Sequence, residues 1–216
     1  MLPETHLIIG DIQDREFIEE LPSDLVGKCD KIFSSATLHW CSRDPLAVLV
    51  NVHHLLKGGG LFVAEMGGRG NIAGMTPSLD ISGVMAAEHT FHGLGVRDAL
   101  HTALRKRGID PIARDPWFYP TPDQYIGLLR SASLVPLRVS LHPRATPFAD
   151  LVGWIRLFGR KFLEGINSED ESELVNEVVA SCRESDACHW DEEKKLWYLD
   201  YVRLRIIALK ARDYED

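Results

Sequence analysis

Cys29-Asp30-Lys31-Ile32-Phe33-Ser34-Ser35-Ala36-Thr37-Leu38-His39-Trp40 is the stretch that decides the fold. Lys31-Ile32-Phe33 opens a strand after Asp30, and the small residues Ser34 to Thr37 that follow have the pattern of a loop leaving a strand tip. On the N-terminal side, Leu7-Ile8-Ile9 is a short apolar run ending at Gly10-Asp11, the pattern of another buried strand with a polar tip. Asp14 is placed to cap a helix carrying Phe17, Ile18 and Leu21. On the C-terminal side, Asp44-Pro45 supplies an N-cap and a first-turn proline. Leu46, Leu49, Val50 and Leu56 then share one helix face up to a stop at Gly58-Gly59-Gly60. Leu61-Phe62-Val63-Ala64 is continuously apolar, as in a strand covered on both faces.

Beyond this core the period becomes helical. Val96, Ala99, Leu100, Ala103 and Leu104 recur at 3.6 spacing, and Gly108 is placed to end that helix. Thr121-Pro122-Asp123-Gln124 is a capping box with a first-turn proline, leading Tyr125, Leu128 and Leu129. Val135 to Leu141 alternates and stops at Pro143, which suits a strand near a sheet edge. Thr146-Pro147 starts a helix with Phe148, Leu151, Val152 and Ile155. Ser168 with Glu171 makes a second capping box before Leu174, Val175, Val178 and Val179, and Tyr201 to Leu209 closes the chain as a strand. Strands alternating with helices, followed by helices and two late strands, predict an α/β three-layer fold with a helical cap. The organisation read from this is 1–75 as core and 76–216 as helical cap plus the last two strands.

Composition narrows the classes. The 216 residues are 45% hydrophobic and 26% charged, which excludes disordered, collagen-like and coiled-coil chains. No apolar run approaches the ~20 residues that cross a bilayer. The segment Met1 to His6 lacks the blocks of a signal peptide, so a cytoplasmic location is expected. Four scattered cysteines (Cys29, Cys41, Cys182, Cys188) without a CxxC pair read as reduced thiols. The net charge of −8 is matched by residues 164–195 alone, where eleven acids face three bases. No basic stripe is present, which argues against a nucleic-acid partner. Arg97, Arg105, Lys106 and Arg107, offset by Asp98, read as a solvated helix face.

In α/β sheets ligands bind beyond the carboxyl ends of the strands. The candidate segments are therefore Gly10-Asp11-Ile12, Ser34 to Trp40, and Glu65 to Asn71. Asp11 offers a carboxylate that accepts hydrogen bonds from a ligand amine or hydroxyl, or else closes its own loop. His39-Trp40 supply either a ligand wall or core packing. Gly68, Gly70 and Ala73 match GxGxxA, but Pro77 interrupts the helix that a dinucleotide site needs, so the segment reads as a flexible loop. No metal is expected. His53-His54 are adjacent on a helix and diverge, His89 and His92 have no completing ligand, and Cys182, Cys188 and His189 lack a fourth.

Three phrases, His6 to Ile12, Cys29 to Trp40 and Leu55 to Met66, together resemble the class I S-adenosylmethionine-dependent methyltransferases, most closely the trans-aconitate methyltransferase branch. Trp154 to Gly159 and Asp200 to Arg205 resemble that family's cap helix and last strand. The resemblance implies a Rossmann-like fold with S-adenosyl-L-methionine as cofactor and a small-molecule acceptor, in particular a carboxylic acid. It implies Asp11 on the adenine amino group with Ile12 beside the ring, Ser35 facing the methionine part, and His39 and Trp40 on the acceptor side. A carboxylate acceptor would be drawn to guanidinium groups in Val96 to Arg107, or to Arg144 and Arg156. The family's Gly-rich motif and ribose-binding acid precede the strand that ends at Asp11. Their absence implies an N-terminally truncated chain that binds the cofactor weakly or not at all, partnered by a missing N-terminal half or by self-association. The alternative function is a non-catalytic methyltransferase-like remnant acting as a binding or partner subunit.

Overall fold

The structure is a computed structural model, which describes residues 7–73, 95–185 and 188–212. His89 and His92 lie outside the described residues, as does Pro77. Five strands form one sheet: β1 (Cys29–Ser35), β2 (Leu56–Gly67), β3 (Leu134–Phe148), β4 (Cys188–Asp191) and β5 (Leu196–Lys210). The order is β1-β2-β5-β3, with β4 paired antiparallel to β5. β1 and β2 run parallel, with Lys31 opposite Leu61 and Ser35 opposite Glu65. Between the pairs Cys29–Leu56 and Lys31–Leu61, two residues of β1 are matched by five of β2, so β2 bulges through its glycines. Gly59 takes φ +82°, and a Cβ on Gly60 would stand 3.0 Å from the Cys29 carbonyl oxygen. The triple glycine therefore bends a strand rather than stopping a helix, whose last residue is Leu55.

The chain divides into two compact units. Unit 1 comprises Met1–Met66, Pro120–Leu141 and Leu204–Asp216; unit 2 comprises Gly67–Tyr119 and His142–Arg203. In unit 1, α1 (Pro45–Leu55) begins as its sequence requires, with Asp44 Oδ1 accepting from the Ala47 N–H at 2.9 Å. It packs on α4 (Pro122–Ser131). Val48, Leu49, Val52, Phe62, Leu129 and Leu204 are fully buried here, each contributing roughly 1.5–3 kcal/mol of transfer free energy.

The capping box of α4 is complete. Gln124 N–H donates to Thr121 Oγ1 at 3.2 Å, and Thr121 N–H donates to Gln124 Oε1 at 2.9 Å. Thr121→Ala should cost about 1 kcal/mol and lower the melting temperature by roughly 2–4 °C, which calorimetry will read.

Unit 2 is mostly helical: α2 (Val96–Lys106), α3 (Pro111–Arg114), α5 (Leu151–Phe158), α6 (Arg160–Leu163) and α7 (Ser168–Arg183). α7 packs on α2 and α5, burying Leu100, Leu104, Ile155, Phe162, Leu174 and Val178. The basic residues after Arg105 are not a bare solvated face, because Arg107 Nη1 donates to Glu177 Oε2 at 2.7 Å and Lys106 pairs with the same carboxylate.

Several expectations are corrected. Leu7-Ile8-Ile9 is not a strand: no described strand pairs with it, and Leu7 and Ile9 are 89% and 92% exposed. Three apolar residues cannot hold an extended ladder without a partner's hydrogen bonds. Asp14 caps no α-helix; its carbonyl accepts from Phe17 N–H ahead of a single 3-10 turn at Phe17–Glu20. β3 runs through Pro143 and Pro147 to Phe148, and α5 starts later, capped by Asp150 Oδ1 on Gly153 N–H at 3.0 Å. α7 is capped by Asn167, whose Oδ1 accepts from Glu169 and Asp170 N–H, so Ser168 is already inside the helix. The β4–β5 hairpin was not foreseen; Asp191 Oδ1 closes its turn by accepting from Glu193 and Lys194 N–H.

Candidate functional site

Asp11 sits in a turn that its own side chain closes. Oδ1 accepts from Gln13 N–H at 2.9 Å, and Oδ2 accepts from Arg43 Nη2 at 3.0 Å. Arg43 also pairs with Asp14 at 2.6 Å, and Gln13 Oε1 accepts from Arg43 N–H at 3.0 Å. The Gln13 backbone bond is the main cause holding the Asp11 carboxyl below its ordinary range, with Gln13's amide and Arg43 adding to it against slight desolvation. The turn is anchored from inside by Asn51. This residue is 1% exposed on α1, and its Nδ2 donates to the Ile12 carbonyl at 2.9 Å and the Asp14 carbonyl at 2.8 Å.

The loop after β1 is equally constrained. Ala36 takes φ +55° while its N–H donates to Glu65 O at 2.8 Å. A non-glycine residue in the left-handed region costs of order 1 kcal/mol and is found preferentially at functional loops. Ser35 is exposed at the carboxyl end of β1, with its carbonyl accepting from Thr37 Oγ1 at 3.0 Å. Leu38–Trp40 form a 3-10 turn in which His39 is buried and Trp40 is 39% exposed, their rings 5.4 Å apart. Burial, and secondarily the Asp11 charge, push the Cys41 thiol up. Arg43 thus joins the Asp11 turn to the segment that follows β1.

Of the sequence-predicted residues, Asp11 and Ile12 share one turn, and His39 and Trp40 share another. Gln13, Arg43 and Asn51 were missed. Asn51 could have been found as the one polar side chain on the apolar face of its helix, whereas nothing local marks Arg43 as a partner for Asp11. The cavity of about 130 Å³ lined by Arg15, Leu46, Ala47, Val50 and Asn51 is too small for a nucleoside.

In unit 2 the Gly67 to Ala73 segment is neither a dinucleotide loop nor a flexible one. Gly68 N–H donates to Val202 O, Ile72 N–H donates to Asp200 O, and Asn71 Oδ1 accepts from Val202 N–H at 3.0 Å. A Cβ on Gly67 would lie 2.3 Å from the Tyr119 ring, so only glycine fits there. Asp115, with its side chain 6% exposed, accepts from Arg97 Nε at 2.7 Å and Trp117 N–H at 3.0 Å, and faces His101 Nε2 at 2.9 Å. Among the described residues, no group of His, Cys, Asp and Glu could hold a metal ion. The four cysteines are free thiols. No helix among the described residues is long and apolar enough to cross a membrane.

These observations can be set beside known proteins. The loganic acid methyltransferase structure with SAH superposes with a TM-score of 0.52 at 15% identity, covering 88% of this chain and 64% of that one. The fold is that of the class I methyltransferases. The YcgJ protein of Bacillus subtilis superposes with a TM-score of 0.49 at 14% identity, over 90% of this chain and 69% of that one. In sequence, the chain is 29% identical over 195 residues to the uncharacterized methyltransferase C70.08c of Schizosaccharomyces pombe, covering 88% of this chain. It spans 65% of that relative's length. No protein-family model matches.

Proposed function

We propose that this chain carries part of an S-adenosylmethionine-dependent methyltransferase that acts on a small organic acid, in the manner of the trans-aconitate branch. The observation that supports it most is the likeness to the yeast methyltransferase along nearly the whole chain. The residues present fit the adenine end of the cofactor. Asp11 is an exposed, ionised acceptor on a turn fixed by Asn51, and half-buried Ile12 offers an apolar neighbour. When bound, S-adenosyl-L-methionine supplies an electrophilic sulfonium methyl group. A carboxylate acceptor would be ionised already, so this chain's residues would have no proton to take from it. This chain's contribution is placement: Asp11 accepts from the adenine amine, Ser35 faces the methionine part, and His39 and Trp40 wall the acceptor side.

Asp11 Oδ1 and Oδ2 already serve Gln13 and Arg43, so an adenine amine must share them. Binding through this end alone should fall near a millimolar Kd, about −4 kcal/mol. Titration of the 216-residue chain with S-adenosylhomocysteine, followed by NMR, should shift the Ile12, Gln13 and Arg43 amides, and Asp11→Ala should weaken the effect by about tenfold. Unmoved amides at millimolar ligand, or shifts indifferent to Asp11→Ala, would sink the reading.

A further inference from the structure

The part of the sheet that lies in unit 1 has one open face among the described residues. Along β1 and β2 the registered pairs alternate, with Ile32–Phe62 and Ser34–Ala64 on one side and Phe33–Val63 and Ser35–Glu65 on the other. Glu65 Oε2 accepts from Arg205 Nε at 2.7 Å, which puts Arg205 of β5 on the second side. Ile207 and Leu209 follow Arg205 at period two, while Leu204, Ile206 and Ala208 between them are buried. Lys210 shares the buried side, and its Nζ donates to the His53 and Leu56 carbonyls at the end of α1, so that side is the one the helices cover. On β3, Val135 and Leu137 alternate with buried Leu134. The open face therefore carries an apolar stripe across four strands: Phe33, 74% exposed, half-buried Val63 and Ile207, and Leu137, 56% exposed. Parallel strands ordinarily have both faces covered, and a contiguous apolar patch of this kind marks a contact surface.

We propose that two copies of the chain meet here, sheet against sheet, about a two-fold axis that crosses the strands at the level of Phe33 and Val63. The stripe carries its own complement. Lys31 pairs with Leu61 and Ser35 with Glu65, so Lys31 and Glu65 stand two residues on either side of that level. The axis lays Phe33 on Phe33 of the second copy and reverses the strand direction, so that Lys31 of each copy meets Glu65 of the other. Stacked sheets lie about 10 Å apart, a gap that a lysine and a glutamate side chain reaching toward each other can span. Lys31 is exposed and forms no ion pair among the described residues, while Glu65 engages Arg205 through Oε2. The charges of Lys31, Glu65 and Arg205 nearly cancel, and the excess of −8 is matched by residues 164–195, which lie in unit 2. Nothing on the face therefore holds like copies apart, and a two-fold contact of this kind closes at the dimer.

Sedimentation velocity of the full chain across a concentration series should show monomer passing to dimer and no further, with the methyl NMR signals of Val63, Leu137 and Ile207 shifting along the same curve. Phe33→Lys, at an exposed position, should raise the dissociation constant by at least about tenfold. Lys31→Glu should raise it by about tenfold at low salt and by less at high salt, because it sets carboxylates against each other across the contact. Leu157→Lys, which removes an equally exposed apolar side chain from unit 2, should leave it unchanged. Should Phe33→Lys not fold, Leu137→Lys carries the test. A chain that stays monomeric throughout leaves the face to a different polypeptide and overturns the proposal. Association that Phe33→Lys leaves intact, that Leu157→Lys weakens equally, that ignores Lys31→Glu at low salt, or that runs past the dimer overturns it as well.

Discussion

Asp115→Ala is expected to lower the melting temperature of the chain by about 10 °C. The Asp115 carboxylate is a hub inside unit 2. Oδ2 receives Arg97 Nε at 2.7 Å and faces His101 Nε2 at 2.9 Å, while Oδ1 receives the Trp117 N–H at 3.0 Å. Removing one member of a buried charge cluster costs about 3–5 kcal/mol, because the remaining cation keeps its desolvation penalty and loses its counterion. Arg97, 27% exposed in its side chain, can rescue itself in part by turning toward water, while His101 at 9% cannot.

Burial raises the Asp115 carboxyl, but the hydrogen bonds from His101 and Trp117, together with Arg97, outweigh it and hold it below its ordinary value. A depressed carboxyl contributes stability that is present above the unfolded value, 3.8, and lost as pH falls through the lower folded value. Thermal melts from pH 7 to pH 2 should therefore show a steeper acid limb in the wild type than in Asp115→Asn. Asparagine keeps the oxygen that receives Trp117 and loses the charge. Identical acid limbs in the two proteins would refute this account of Asp115.

The parts of the fold that were legible in the sequence are those whose cause is local. Asp44-Pro45 and Thr121 to Gln124 fix their helices through bonds within four residues, and both appear as read. The strands with a clear apolar period, at Lys31, Leu61, Val135 and Tyr201, all join one sheet. Expectations failed where a distant partner decides. Leu7-Ile8-Ile9 has the composition of a strand, but a strand exists only when another pairs with it. Gly58 to Gly60 read as a helix stop because single-sequence reasoning sees glycine's freedom and not the Cys29 carbonyl that leaves room for no Cβ at Gly60. The site divides in the same way. Asp11 was visible as a carboxylate past a short apolar run. Arg43, 32 residues away, and Asn51, 39 residues from Ile12, are assigned to it only by the folded chain.

Asn51→Ala connects the fold to the site. Asn51 is the only buried polar side chain on α1, and both hydrogens of its amide are spent on the Ile12 and Asp14 carbonyls. Alanine leaves the Ile12 carbonyl unpaired against an apolar helix face and the Asp14 carbonyl with the Phe17 N–H alone, at about 1–3 kcal/mol for a group that water does not reach. A total near 2 kcal/mol corresponds to a fall of roughly 4–8 °C in melting temperature. The loss of order should be local to the turn. Gln13 N–H, which donates to Asp11 Oδ1, should exchange with solvent faster, and the Asp11 carboxyl should rise toward its ordinary range as its main stabilising bond loosens. The direction follows from the causes: with the Gln13 bond weakened, the slight desolvation that raises the carboxyl is less opposed. Asn51→Asp should be worse, because a carboxylate oxygen would face two carbonyl oxygens. Val50→Ala, on the same helix but outside the clamp, should leave Gln13 exchange and the Asp11 titration unchanged. If Asn51→Ala loses stability while both Asp11 readouts stay at their wild-type values, the turn is held by Arg43 and Gln13 alone, and Asn51 is merely part of the core.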